Sequence, residues 1–125
     1  MSGRESISSP DAPLPAGAYS QVMAGGGFVF TSGFGPQDPL TGDVPEGIEA
    51  QTVQVMKNLQ AALVAAGSGL DRLLKTTVHL ADLSDWAAFD AAYGAALPTP
   101  PPVRTTVGST LSGILVEIDA VAIRG

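Results

Sequence analysis

Apolar and polar positions alternate at two periods along this chain, and each change of period marks an element. The first clear signal is a pair of β-rich stretches, Tyr19-Ser20-Gln21-Val22-Met23 and Phe28-Val29-Phe30-Thr31-Ser32, flanking Gly25-Gly26-Gly27. Glycines accept the positive φ of a tight hairpin turn, so these read as two antiparallel strands. Residues 1–16, rich in Ser, Pro and Ala, read as an irregular lead-in, and Gly33 to Pro45, punctuated by Gly and Pro, as a loop. A helical period then takes over. Ile48, Thr52, Val55, Met56, Leu59, Ala62, Leu63 and Ala66 recur at spacings of three and four. Gln51, Gln54, Lys57, Asn58 and Gln60 fall off that stripe, and Gly67 is a natural stop.

Leu73 to Leu80 reads as a third strand. Ser84 can cap a second helix with a buried stripe of Trp86, Phe89, Tyr93 and Leu97, ended by Pro98. Arg104–Val107 and Ile114–Ile123 are the last strands. In the latter, Val116, Ile118, Ala120 and Ala122 alternate with Glu117, Asp119 and Val121, so Glu117 and Asp119 point away from the core. The order β-β-α-β-α-β-β predicts an α+β fold, one mixed sheet with both helices on one face. At 125 residues the chain, 1–125, is expected to be a single domain.

Composition adds an expectation about assembly. Only 14% of residues are charged against 45% hydrophobic, too few charges to cover the exterior of so small a fold. The second sheet face is therefore expected to be apolar and covered by another subunit. Net charge is −6, and Arg4, Lys57, Arg72, Lys75, Arg104 and Arg124 are scattered, which argues against nucleic acid and anionic membranes. Without cysteine, disulfides and thiolate chemistry are excluded. The start, Met1-Ser2-Gly3-Arg4-Glu5, is no signal peptide, and no apolar run approaches the ~20 residues that span a bilayer. The expectation is a soluble cytoplasmic protein.

Candidate chemistry centres on Arg104, the lone Lys or Arg between Lys75 and Arg124. A guanidinium in so apolar a neighbourhood needs an anionic partner, and its planar fork suits a carboxylate. It either closes an internal ion pair or receives a ligand's carboxylate. Glu117 has two readings as well: a solvated or structural carboxylate, or one that works near Arg104 with the hydroxyls of Tyr19 and Ser32. The single histidine, His79, cannot form a His-rich metal site and reads as structural or surface. Gly33-x-Gly35 lacks the context of a dinucleotide fingerprint. No metal or cofactor is implied.

These residues resemble the RidA (YjgF) family of small enamine/imine deaminases. The similarity covers nearly the whole chain from Gly17 on. It is carried by Gly17-Ala18-Tyr19-Ser20-Gln21, Phe30-Thr31-Ser32-Gly33, Asp38-Pro39-Leu40-Thr41-Gly42, Lys75-Thr76-Thr77-Val78, Pro102-Val103-Arg104-Thr105-Thr106-Val107 and Val116-Glu117-Ile118-Asp119-Ala120. The resemblance implies a chorismate-mutase-like fold and a homotrimer whose sheets line a central barrel, with sites in the clefts between subunits. It implies hydrolysis of 2-enamine or 2-imine carboxylic acids to 2-keto acids and ammonium, without a cofactor. Arg104 would hold the carboxylate, Glu117 would position or activate the water, and Tyr19 and Ser32 would line the pocket. Backbone groups near Gly33 and Thr106 would orient the substrate. Glu117 could also partner Arg104 in the empty site. Three positions depart from the pattern: Thr106 stands where many members carry Cys, Asp90 where they carry Asn, and Phe34 where a polar residue is common. Asp90, if it faces the cleft, would place negative charge beside an anionic substrate. The alternatives are a hydrolase acting on another small imine or amide, and a ligand-binding or regulatory trimer without catalysis.

Overall fold

A computed structural model describes residues 3–125; Met1 and Ser2, part of the expected lead-in, lie outside them. The elements are β1 (Arg4–Ile7), β2 (Val22–Gly25), β3 (Phe28–Thr31), α1 (Ile48–Ala65), β4 (Leu73–Leu80), α2 (Trp86–Ala95), β5 (Val103–Gly108) and β6 (Val116–Ile123). The six strands form one mixed sheet in the order β1-β2-β3-β6-β4-β5. All pairs are antiparallel except β4–β5, which needs a crossover, and α2 supplies it.

β1 corrects the irregular lead-in. Arg4-Glu5-Ser6-Ile7 has no apolar alternation to betray a strand, yet its backbone pairs antiparallel with β2, from Arg4↔Gly25 to Ile7↔Val22. The hairpin turn is Gly26-Gly27, with φ of 61° and 85°, as a two-residue connection of this hand demands. β2 begins at Val22 because Gln21 has other work. Its buried amide donates to the carbonyls of Ser9, Ala12 and Pro13 and accepts from the Ser9 N–H, tying down the segment between β1 and β2.

α1 buries the expected stripe, and two amides besides. Gln51 donates to Pro45 O and accepts from Leu115 N, while Asn58 donates to the carbonyls of Gly35 and Gln37. These amides satisfy loop backbone that would otherwise be stranded under the helix. Gly67 (φ 75°) ends α1: its N–H reaches Val64 O and that of Ser68 reaches Leu63 O, a Schellman closure. The second helix starts differently from the expectation. Ser84 does not cap it; Asp82 accepts from Ser84 N, shaping a 3-10 turn over Leu83–Asp85, and α2 follows at Trp86. Phe89 and Tyr93 are buried, Leu97 packs at the core's edge beyond the helix, and Trp86 stays exposed.

One sheet face carries Val29, Thr76, Val78, Leu80, Val116, Ile118, Ala120 and Ala122, all buried and packed in one core with α1 and α2. The other face is not wholly apolar, as expected, but divided. Phe28, Phe30, Val121 and Ile123 share one end by register, whereas Thr77, His79, Glu117 and Asp119 occupy the other. There His79 Nδ1 bonds Ser109 Oγ at 2.8 Å and its Nε2 lies 3.7 Å from Asp119 Oδ2, a structural setting in line with the reading of that residue.

Candidate functional site

The predicted site residues fall into two groups on opposite faces of the sheet. The first surrounds Glu117 on the open face. A groove of about 350 Å³ is lined there by Tyr19, Ser32, Gly33, Phe34, Asp38 and Glu117, among others. β6 aims Glu117 into it by simple alternation, since Val116 and Ile118 are fully buried on the helix side. Gly33 lets the carboxylate settle. A Cβ at that position would lie 2.8 Å from both Glu117 Cδ and Oε2, so glycine is the residue that leaves the space. Phe34 forms the apolar wall; it is buried and bridged to Ile118 through paired backbone hydrogen bonds of 2.9 and 3.0 Å.

Glu117 has no hydrogen-bond or ion-pair partner among the described residues, and neither does the Ser32 hydroxyl. Tyr19 Oη accepts from Ala16 N at 3.1 Å, which leaves its own proton free to donate. At the groove's far side the Asp38 carboxylate accepts the N–H groups of Leu40 (2.8 Å) and Thr41 (3.1 Å). Those two backbone bonds hold its pKa below the usual carboxylate value. Asp38 Oδ1 is thereby committed to its turn, whereas neither carboxylate oxygen of Glu117 is engaged among the described residues. Glu117 is the carboxylate left wholly available to a ligand or water.

The second group surrounds Arg104 on the helix side of β5. Register places Arg104 beside Thr76 and Thr106 beside Val78, and both neighbours are fully buried on that side. The guanidinium carbon lies 5.4 Å from the ring centroid of Trp86, 5.4 Å from that of Phe89 and 5.0 Å from that of Tyr93. All three contacts are within cation–π range. Tyr93 is fixed in turn by a 2.7 Å hydrogen bond with Thr76 Oγ1, and burial pushes its phenol up, so the ring stays neutral. Arg104 Nη1 donates to Asp90 Oδ1 at 2.7 Å. The pair is asymmetric: the Arg104 side chain is 18% exposed and that of Asp90 53%. Thr106 Oγ1 is the one buried side-chain polar atom without a partner among the described residues.

Two expectations change here. Arg104 does form an ion pair within the chain, but with Asp90 from α2 and not with Glu117. Arg104 and Glu117 are consecutive in strand order only, because β4 lies between β5 and β6 in the sheet. The structure brings together Tyr19, Ser32, Gly33 and Glu117 in one place, and Arg104 with Asp90 in another, with Thr106 two positions along the same face of β5. The aromatic cage was read from sequence only as a buried stripe. Its signal was present: positions 86, 89, 90 and 93 share one helix face, so the stripe that packs the core also carries Asp90 to the arginine.

Among the described residues no group of three His, Asp or Glu side chains gathers as a metal would require, and no helix is long and apolar enough to cross a membrane.

Residues 9–124 match the family model described as Endoribonuclease L-PSP. A RutC family protein of Pyrococcus horikoshii is 38% identical over 95% of this chain and 97% of its own. The chloroplastic Reactive Intermediate Deaminase A of Arabidopsis thaliana is 37% identical over 95% of this chain and 65% of its own. The crystal structure of E. coli TdcF with bound serine superposes with a TM-score of 0.89 at 31% identity, covering 97% of this chain and 99% of the other. With its six-stranded α+β architecture and near full-length similarity, the chain belongs to the RidA/YjgF/RutC (endoribonuclease L-PSP) family.

Proposed function

We propose that this protein hydrolyses 2-imino and 2-enamine carboxylic acids to 2-keto acids and ammonium. The site would be built from Arg104 of one copy and Glu117 of a neighbour in a homotrimer. The observation that carries this reading is the separation of a caged guanidinium and a carboxylate without a partner among the described residues onto opposite sheet faces. Within one chain they cannot act on one small molecule. In a cleft between copies they can, and the exposed Phe28, Phe30 and Ile123 give such a contact apolar surface to bury. A relative named as a reactive intermediate deaminase, and another with serine bound, support a small ligand that pairs nitrogen with a carboxylate.

The chemistry asks little of the protein. The imine carbon is already electrophilic. Arg104 holds the carboxylate and fixes which face meets water, a proximity contribution. As the water oxygen bonds to the carbon of the protonated imine, the C=N π pair moves onto nitrogen, which becomes neutral, and Glu117 takes a proton from the water. The resulting carbinolamine collapses: Glu117 returns that proton to nitrogen, the C–N bond breaks as C=O forms, and the hydroxyl proton released passes by way of Glu117 to the departing ammonia, which leaves as ammonium. Such general acid–base assistance contributes typically ~10²–10⁴-fold. The free Tyr19 and Ser32 hydroxyls can hold the water or the developing carbinolamine oxygen. A ribonuclease reading of the family model's name is less well supported, because the chain carries a net charge of −6 and the groove presents Glu117 and Asp38 where a phosphate chain would want cations.

The test couples an amino acid oxidase to the purified protein and traps surviving imine with semicarbazide. Wild type is expected to deplete the imine well ahead of buffer, and Arg104→Ala and Glu117→Gln to behave like buffer. Wild type indistinguishable from buffer across several amino acids would leave a non-catalytic ligand-binding trimer as the better reading.

A further inference from the structure

We propose that Asp90 makes this site selective for zwitterions, ligands that carry a cationic nitrogen beside their carboxylate, over simple 2-oxo or 2-hydroxy acids. The inference deepens the reading above and rests on Arg104 receiving the ligand's carboxylate. Asp90 sits one helical turn from Trp86, on the face that also presents Phe89 and Tyr93, so α2 delivers cage and carboxylate together. Its Oδ1 engages Arg104 at 2.7 Å, while its second oxygen has no partner among the described residues. The guanidinium is mostly covered and the carboxylate half-exposed, so an arriving ligand meets a dipole and not a bare cation.

That dipole discriminates by charge pattern. A simple anion is attracted by Arg104 and repelled by Asp90 at comparable range, so the two effects largely offset. An iminium acid or amino acid offers a negative and a positive group on adjacent atoms. Its carboxylate can take guanidinium N–H groups not committed to Asp90, while its N–H donors meet the free Asp90 oxygen. Both ends are then charge-assisted. Asparagine at this position could still accept a hydrogen bond from Arg104, but it would restore a net positive receptor that favours plain carboxylates. Tyr93, the other ionisable group of the cage, stays neutral and does not alter this balance.

The experiment titrates serine and glycerate, which differ in an ammonium against a hydroxyl, into wild type, Asp90→Asn and Arg104→Ala by calorimetry or NMR. Wild type is expected to bind serine more tightly than glycerate by about fivefold, the scale of one partly exposed ion pair. Asp90→Asn should bring the two affinities together, with glycerate tightening and serine weakening. A wild type without preference for serine would overturn the inference. So would an unchanged ratio in Asp90→Asn, or equal tightening of both ligands, which would make Asp90 a mere competitor for Arg104. Arg104→Ala separates the levels. If it binds both ligands as wild type does, the carboxylate-receptor reading falls and takes this inference with it. If it binds neither while the Asp90→Asn ratio is unchanged, only this inference falls.

Discussion

Arg104 and Glu117 point to opposite faces of the same sheet, on strands separated by β4. Two strand spacings across the sheet and three residues along it put their backbones about 14 Å apart, and the sheet itself stands between their side chains. Each is nonetheless prepared. Arg104 is caged by three aromatic rings and already in contact with one carboxylate; Glu117 lies against Gly33 without a partner among the described residues. Under the proposed function these are two half-sites of complementary charge, which a closed ring of identical subunits would join into complete sites.

Gly33→Ala tests whether the position of Glu117 matters apart from its presence. The new methyl would lie 2.8 Å from the carboxylate and force it aside. Because Glu117 is only partly buried it can swing outward, so the thermal midpoint should change little. Imine hydrolysis is expected to fall by about 10²-fold, the scale of a roughly 1 Å misplacement. Full activity with an unchanged fold would show that Glu117 needs no such placement.

Thr106→Val addresses the hydroxyl beside Arg104 that has no partner among the described residues. Removing a buried, unsatisfied polar atom while keeping the branched shape should stabilise the ligand-free protein by about 1 kcal/mol in urea denaturation. The added stability conferred by saturating serine should shrink, because the hydroxyl would then lack the partner it awaits. A loss of ligand-free stability of the same size would mean that Thr106 is already satisfied in the assembled protein.

The Asp38 turn predicts an acid transition. Its folded pKa is depressed by bonds from Leu40 and Thr41 N–H, so the turn's stabilisation is present above the ordinary value of 3.8 and is lost as pH falls through the lower folded value. The Leu40 and Thr41 amide resonances should titrate together with a midpoint below 3.8. A midpoint at or above it would contradict the bonded turn.

How much of this was legible in the sequence follows from what is local. The α1 stripe and β4 carry their own periodicity and stand where the pattern put them; the hairpin is present too, but its first strand runs Val22–Gly25 and not from Tyr19, so Gly25 belongs to the strand and only Gly26-Gly27 to the turn. β1 could not be seen, because an edge strand held by backbone pairing needs no apolar face. Gln51 and Asn58 fall off the apolar stripe of α1, and the tie that Gln21 makes could not be seen, because the value of these buried amides lies in distant backbone groups. The sheet order was equally hidden: β6 inserts between β3 and β4, and nothing in its own residues names those neighbours. For the same reason the candidate site residues could not be grouped from sequence, and the partner of Arg104 was sought on a strand when it stands on α2.

The central claim is that one working site draws on two copies, and subunit complementation tests it most directly. Arg104→Ala and Glu117→Gln proteins, each inactive alone, are mixed under conditions that exchange subunits, and imine hydrolysis is then measured. Mixed assemblies contain interfaces where an intact Arg104 faces an intact Glu117, so activity should reappear well above either parent. If light scattering shows mixed assemblies and they remain as inactive as the parents, the two residues do not share a site across the interface.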